Sequence, residues 1–258
     1  MSTIGIVYRK SAMIIFEQCD LNKRTVFYEP KVKSNKDIRY MSFEREDIEG
    51  IWCGINNYGV AFVSADSYVK DEENNILNNA VFKAYENIVS DYKTAREAVE
   101  FMKKFYLTSL NKDILIISDK KESYYIESYK GEVIVVLLTP QFHPRYFTST
   151  NHFRFIHEEV PFSENHSTYL RLTRTEEMLL KDCSINGVKN LLKDQYYGKS
   201  VMSICRESDI CPIGEKAYTT QATAIFLVNN NCSDISTYYQ INGNPKDNKM
   251  TFKDRIFN

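Results

Sequence analysis

Strand periodicity starts almost at the first residue. Ile4 to Tyr8 and Ala12 to Gln18 are two apolar-rich runs joined by the polar turn Arg9-Lys10-Ser11, which predicts a β-hairpin at the head of the chain. A strand that begins at Ser2 and returns through Ala12 to Gln18 carries Asp20 back beside Met1-Ser2-Thr3. The small side chain of Ser2 makes Met1 a substrate for methionine aminopeptidase, so the mature chain is expected to begin at Ser2. A free N-terminal Ser holds a hydroxyl nucleophile and, in its α-amine of pKa ~8, a base. Many cytosolic chains begin Met-Ser, and Asp20 equally suits a turn opening before Leu21-Asn22, so on local grounds an ordinary start and an ordinary turn stay open.

The rest of the chain alternates between the two periodicities. Arg24 to Val32, Gly50 to Asn56 and Val60 to Ser64 read as strands, the last two closed into a hairpin by Asn56-Asn57-Tyr58-Gly59. From Asn79 to Leu107 apolar residues recur at three- and four-residue steps, with a break around Ser90-Asp91, which predicts two helices. Asp113 to Asp119, Glu122 to Ser128 and Gly131 to Leu138 form a strand meander, and Phe147 to Thr150 a short strand. Ser167 to Leu180 is helical, Ile185 to Leu192 and Val201 to Cys205 suit short helices, and Thr219 to Val228 and Ser236 to Ile241 are strands. Without an internal repeat or a linker-like stretch, this order predicts an α+β sandwich in one domain spanning residues 1–258.

Composition excludes several classes of partner. The net charge is −1, from 33 basic and 34 acidic residues, which leaves no footprint for nucleic acid or an anionic membrane. The 18 Tyr and 15 Phe fit strands and a partly apolar ligand cleft. No apolar run approaches the ~18 residues of a membrane span. Arg9-Lys10 leads only into Ala12 to Phe16 before Glu17, unlike a signal peptide, so a cytoplasmic location is expected. The six Cys are scattered without a C-x-x-C pair, and Cys53, beside Trp52 in an apolar strand, reads as an inert buried thiol. The four His (His143, His152, His157, His166) fit no metal-ligand spacing, since His152 and His157 are five apart. No phosphate loop or dinucleotide fingerprint occurs.

Trp52-Cys53-Gly54-Ile55-Asn56-Asn57-Tyr58-Gly59-Val60-Ala61, lying downstream of Met1-Ser2-Thr3 and Gln18-Cys19-Asp20, resembles the signature of the cysteine-type N-terminal-nucleophile (Ntn) hydrolases. That group includes choloylglycine hydrolases, penicillin V acylases and acyl-CoA:6-aminopenicillanic acid acyltransferases. Three further segments agree in order. Asp66 falls where bile-salt hydrolases have an oxyanion-hole Asn. Thr148-Ser149-Thr150-Asn151-His152 is similar to the strand whose Asn points at the scissile amide. Asn165-His166-Ser167-Thr168-Tyr169-Leu170-Arg171 is similar to the helix start whose Arg lies close to the nucleophile. Thr219 to Ile225 matches a late Thr-rich strand.

The resemblance implies a four-layer αββα sandwich of two antiparallel sheets flanked by helices. It implies an amide hydrolase or acyltransferase acting on a small-molecule amide or thioester, without metal or organic cofactor, in a family where homo-oligomers are common. The implied site is Ser2 as nucleophile, Asp20 orienting its amine, Asn151 and a backbone N–H near Asp66 at the oxyanion, and Arg171 supplying positive charge. Three departures stand out. Ser2 occupies a Cys position, which makes it either a functional variant or the mark of a silenced enzyme that binds a small amide or acyl compound. Glu17-Gln18-Cys19 replaces the Arg that often precedes the hairpin-ending Asp. Asp66, if charged, opposes an oxyanion through its side chain, leaving its backbone N–H to serve.

Overall fold

The computed structural model describes residues 1–67, 79–109, 111–139, 145–157, 163–229 and 234–257. In chain order its elements are β1 (Ser2–Tyr8), β2 (Ala12–Leu21), β3 (Lys31–Asn35), β4 (Ile38–Phe43), β5 (Cys53–Asn56) and β6 (Ala61–Asp66), then α1 (Asn79–Asp91) and α2 (Ala95–Thr108). There follow β7 (Asp113–Ser118), β8 (Ser123–Tyr129), β9 (Glu132–Leu138) and β10 (Tyr146–Ser149), α3 (Ser167–Lys181) and α4 (Ile185–Leu191), and finally β11 (Thr219–Asn229), β12 (Ile235–Ile241) and β13 (Thr251–Lys253). Two antiparallel sheets result, one ordered β10-β1-β2-β11-β12-β13 and the other β3-β4-β5-β6-β7-β8-β9.

Alternation along β1 and β2 explains how the layers stack. Ile4, Ile6, Met13 and Ile15 point to one side and meet Met41, Phe43, Ile55, Val63 and Ile116 of the seven-stranded sheet, forming the core between the sheets. Val7, Ile14 and Phe16 point to the other side, where Leu179 of α3 and Val188 and Leu191 of α4 cover them. The outer face of the seven-stranded sheet is covered by α1 and α2, whose Val81, Tyr85, Ile88, Val99 and Met102 pack on Phe62, Leu115 and Ile117. Each fully buried side chain of this kind contributes ~1.5–3 kcal/mol. The order of layers is therefore helices, sheet, sheet, helices, as expected. All ten residues of β2 are buried, because both its faces are covered.

Local signals set the helix starts. The break expected near Ser90-Asp91 separates α1 from α2, and Thr94 caps α2 by accepting from the Glu97 N–H at 3.3 Å. At α3 the Glu215 carboxylate accepts from the Ser167 N–H and hydroxyl, both at 2.7 Å, and holds the first turn against the site described below.

Two expectations are corrected. Arg24 to Val32 is not a strand: within it Phe27 makes only an isolated bridge to Arg45, and pairing begins at Lys31, one residue after Pro30, in the β3–β4 hairpin. Val201 to Cys205 is not a helix. Val201 and Ile204 are buried at helical spacing, but so short a run gains too few hydrogen bonds to nucleate, and its backbone is tied to distant turns instead, the Cys205 N–H donating to the Asp194 carbonyl at 2.9 Å. No helix among the described residues is long and apolar enough to cross a membrane.

Candidate active site

Ser2 is the first residue of β1, and Met1 continues the ladder beyond it. The Met1 ammonium donates to the Asp20 carbonyl at 2.8 Å and the Asp20 N–H donates to the Met1 carbonyl at 2.6 Å. The hairpin therefore brings Asp20 back to the N-terminus as the sequence suggested, with main-chain atoms making that contact. Burial lowers the pKa of the Met1 amine, while the nearby acids, Asp66 foremost and then Asp20, oppose the shift. Met1 and Ser2 are each only 5% exposed.

The two faces of β1 and β2 carry different chemistry. Ser2 pairs with Cys19, and on the same side Glu17 lies opposite Ile4, so all three face the space between the sheets. There the Ser2 hydroxyl donates to Glu17 Oε1 at 3.5 Å, and Glu17 Oε2 accepts from the Ser64 N–H of β6 at 2.9 Å. Arg45 reaches in from the loop after β4, with Nη1 3.9 Å from Cys19 Sγ. Burial pushes the Glu17 carboxyl well above its usual range, against the pull of the Ser64 N–H, Arg45 and the N-terminal amine. Burial also pushes the Cys19 thiol up to about 12, which makes it a poor nucleophile.

On the helix side sits a buried ionic cluster. Asp20 Oδ1 accepts from the Thr220 hydroxyl at 2.8 Å, while Oδ2 lies 3.7 Å from Arg171 Nη1 and 4.0 Å from Arg206 Nε. Burial raises the Asp20 pKa, and Arg206, Arg171, the N-terminal amine and Thr220 oppose it. Arg171, projecting from α3, donates through Nη1 to the Ser2 carbonyl and to Thr3 Oγ1, both at 3.0 Å, and through Nη2 to Asn151 Oδ1 at 2.7 Å. Its charge thus bears on the main chain of Ser2 and on Asn151. Arg206 is held by the Lys216 and Tyr218 carbonyls, with Nη1 3.5 Å from Met1 Sδ.

Asn151 joins these parts. It follows β10, and Thr168 in the first turn of α3 fixes it by accepting from its N–H at 3.0 Å. Its side-chain carbonyl accepts from the Ser2 N–H at 3.3 Å and its amide donates to the Asp66 carbonyl at 2.6 Å. Asp66 ends β6 opposite Asp113 of β7, and its contact with the site is this carbonyl. Ser2, Asp20, Asp66, Asn151 and Arg171, five residues from five separate segments, therefore lie together. Glu17, Arg206, Thr3, Thr168 and Thr220 belong to the same neighbourhood; Thr3, Thr168, Thr220 and Glu17 lie in segments quoted from the sequence, but none of the five was singled out as a site residue. Glu17 could have been found from the hairpin alternation, because it is an acid in the middle of a strand that is otherwise buried. Arg206 offered no comparable signal.

Of the histidines, His152 and His166 border the site and His143 lies outside the described residues. His152 Nδ1 is 2.9 Å from Thr168 Oγ1, and burial, then the charges of Arg154 and Arg171, push its pKa down to about 4. Cys53 is fully buried and its thiol is raised well above its usual pKa by burial, as the apolar strand around it suggested. Among the described residues no three His, Cys, Asp or Glu side chains converge to hold a metal ion.

No protein-family model matches the chain. No curated protein matches it either. Solved structures do. A Caenorhabditis elegans ortholog of N-acylethanolamine-hydrolyzing acid amidase superposes with a TM-score of 0.59 at 13% identity, over 86% of this chain and 91% of its own. The conjugated bile acid hydrolase of Clostridium perfringens does so in a cysteine-to-alanine mutant, with a TM-score of 0.57 at 15% identity over 100% of this chain and 93% of that one. An arginine-to-leucine variant of the same hydrolase gives 0.56 at 14% identity, over 98% and 92%. The fold is that of the Ntn hydrolases. At these identities the likeness is one of fold, and it extends over nearly the whole length of both partners.

Proposed function

We propose that the chain is an amide-bond hydrolase or acyltransferase for a small N-acyl compound, with Ser2 as nucleophile once Met1 is removed. The observation that carries the proposal is the position of Ser2. It heads a central strand of an Ntn-type sandwich, its nitrogen is held by Asn151, and its main chain is clamped by a buried arginine. Cleaving the Met1–Ser2 bond would remove the last rung of the ladder with Asp20 and the side chain packed beside Arg206. The α-amine would then belong to Ser2, within hydrogen-bond reach of Asn151 Oδ1 and beside the Asp20 carboxylate cluster. That amine takes the hydroxyl proton as Oγ attacks the amide or thioester carbonyl. The Asn151 amide and a backbone N–H near Asp66 stabilise the oxyanion, each such donor being worth ~10²–10³ in rate. Water resolves the acyl-enzyme in a hydrolase and an amine does so in an acyltransferase, with no metal or cofactor required. The same reading takes residues 1–258 as one domain acting in the cytoplasm.

A second reading, a catalytically silent relative that binds a small amide or acyl compound, is favoured by one contact. The Asn151 amide already donates to the Asp66 carbonyl and must leave it to serve an oxyanion. Intact-mass measurement distinguishes the readings. The mature chain is expected to lack Met1 and to gain an acyl adduct from a panel of N-acyl amino acids, penicillin V and bile-salt amides, with Ser2→Cys trapping it and Ser2→Ala abolishing it. A chain that never forms an adduct, even as Ser2→Cys, is a binding protein.

A further inference from the structure

We infer that Arg45 is a specificity-determining residue of this site, and that its guanidinium receives the carboxylate of an N-acyl amino acid whose amide carbonyl lies at Ser2. The inference rests on the reading of Ser2 as nucleophile. Three arginines lie around Ser2, and two of them are committed to the protein. Arg171 donates to the Ser2 carbonyl, Thr3 Oγ1 and Asn151 Oδ1, and lies 3.7 Å from the Asp20 carboxylate. Arg206 donates to the Lys216 and Tyr218 carbonyls and lies 4.0 Å from the same carboxylate. Arg45 is placed differently. Its side chain is 4% exposed, and its one carboxylate within 4 Å among the described residues is that of exposed Asp47, 3.0 Å from Nε but out of hydrogen-bond alignment. Nη1 meets only the neutral Cys19 thiol, at 3.9 Å, and among the described residues Nη2 makes no hydrogen bond. A guanidinium carries five donors, and leaving most of them unused in the interior is costly.

The neighbouring acid does not take up this charge. Glu17 spends its oxygens on the Ser2 hydroxyl and the Ser64 N–H and forms no ion pair with Arg45, and burial holds its carboxyl well above the usual range. The Phe82 ring, 5.2 Å from Arg45 Cζ, fixes the guanidinium from the side of α1. What remains is a held, desolvated cation in the layer of the nucleophile, with its outer nitrogens turned toward Cys19.

Reach sets the size of the substrate between them. Ser2 pairs with Cys19, and side chains of such a pair start ~4.5–5.5 Å apart. Arg45 Nη1 lies 3.9 Å from the Cys19 sulfur, which puts the guanidinium within ~10 Å of the Ser2 hydroxyl. One amino-acid residue extends ~3.5 Å, and a contact of ~3 Å at each end completes that span, Oγ to the carbonyl carbon and Nη to the carboxylate. Both Nη groups donate to the carboxylate in parallel, a geometry that an ammonium does not offer.

The test is equilibrium binding to the Ser2→Ala chain freed of Met1, which holds an amide without cleaving it. Trp52, the single tryptophan, shares a core cluster with Cys19 and stands edge-on to Phe27, whose main chain bridges to Arg45, so its fluorescence reports on the site. The probes are N-acylglycines from acetyl to dodecanoyl and the N-acylethanolamides of the same chains. The best-bound N-acylglycine is expected to bind ~10–100-fold more tightly than its ethanolamide, the worth of hydrogen bonds to a charged group. Arg45→Met is expected to abolish that preference while keeping the affinity for the neutral probe, and Arg45→Lys to restore part of it. Equal affinity for charged and neutral probes in the parent chain, no binding of any probe, or an unchanged preference in Arg45→Met overturns the inference. So does an equal loss for both probes in Arg45→Met, the result for an arginine that only braces the fold. If Arg45→Met does not fold, Arg45→Gln takes its place, with the same outcomes. Intact mass of the Ser2 chain separates the two readings. Acyl adducts on Ser2 from both probe series without regard to charge leave the nucleophile and remove Arg45 as its selector. A preference for N-acylglycines in a chain that never forms an adduct removes the nucleophile and keeps the anion site in a binding protein.

Discussion

Replacing Arg171 by Met isolates what holds the head of β1 in place. Methionine fills most of the volume of the stem, so the change removes the guanidinium with little cavity. Four acceptors lose a partner: the Ser2 carbonyl, Thr3 Oγ1, Asn151 Oδ1 and Asp20 Oδ2. They do not suffer equally. The Thr3 hydroxyl can rotate, Asn151 Oδ1 keeps the Ser2 N–H, and Asp20 keeps Thr220 and Arg206, so the Ser2 carbonyl is the group most exposed to loss. A buried orphan of that kind costs ~1–3 kcal/mol, and breaking a buried ion pair from one side ~3–5 kcal/mol. With Arg206 still compensating Asp20, about 3 kcal/mol is expected, a fall of about 6–12 °C in Tm for a chain of this size. The assay is urea unfolding of wild type, Arg171→Met, Asp20→Asn and the double variant, followed by the midpoint at constant slope. Coupling between the two sites is expected at ~1–3 kcal/mol. Arg171→Lys is expected to recover little, since one ammonium cannot match a planar fork across four acceptors. A loss under about 1 kcal/mol for Arg171→Met, or strict additivity with Asp20→Asn, refutes the clamp.

Two further perturbations probe the frame around the site. Asp113 lies in β7 opposite Asp66 and accepts from the hydroxyls of Tyr85 and Tyr106, and burial outweighs those bonds and raises its pKa to about 7. A folded pKa above the unfolded one means that its stabilising effect is whole below about pH 4 and is lost as pH rises toward 7, a swing of about 4 kcal/mol. Asp113→Asn is expected to flatten the melting temperature across that window, and a slope like the wild type's sinks the assignment. Gly5→Ala tests packing within β1 near Ser2, because a methyl group there meets the Phe16 ring and the Thr148 methyl. A loss of ~1–3 kcal/mol is expected by thermal melting, and an unaltered protein would mean that β1 shifts freely.

Much of the fold was legible because its signals are local. The opening hairpin, the helix pair with its break near Ser90-Asp91 and the β7–β9 meander depend on periodicity and turn residues within a few positions. The β3–β4 hairpin was missed for the same reason in reverse. β3 (Lys31–Asn35) is a polar, half-exposed edge strand without alternation, and its turn places Lys36 at a φ of 53° with no glycine to announce it. In Val201 to Cys205 the burial pattern was real but the backbone was not helical, since buried spacing records which side chains are covered and not how the chain gets there. At the site, Asp20 follows from hairpin register. Asn151 and Arg171 were reached through resemblance to a family, and Glu17 and Arg206 were not reached.

The sequence by itself determined that strands, helices and turns alternate as they do, and that the chain's start returns to Asp20, because register within a hairpin is settled by its own turn and pattern. Only the tertiary structure decided which face of that hairpin became chemistry. Ser2 and Glu17 meet because a second sheet offers the Ser64 N–H across the gap, and Asp20 is charged company for two arginines because α3 and the segment before β11 close over the opposite face. Ser64, Arg171 and Arg206 all lie far from Ser2 along the chain, and no local pattern records which layer will cover a strand. The face of a strand has no meaning until two sheets are stacked, so the same alternation that fixed the fold left the site undecided.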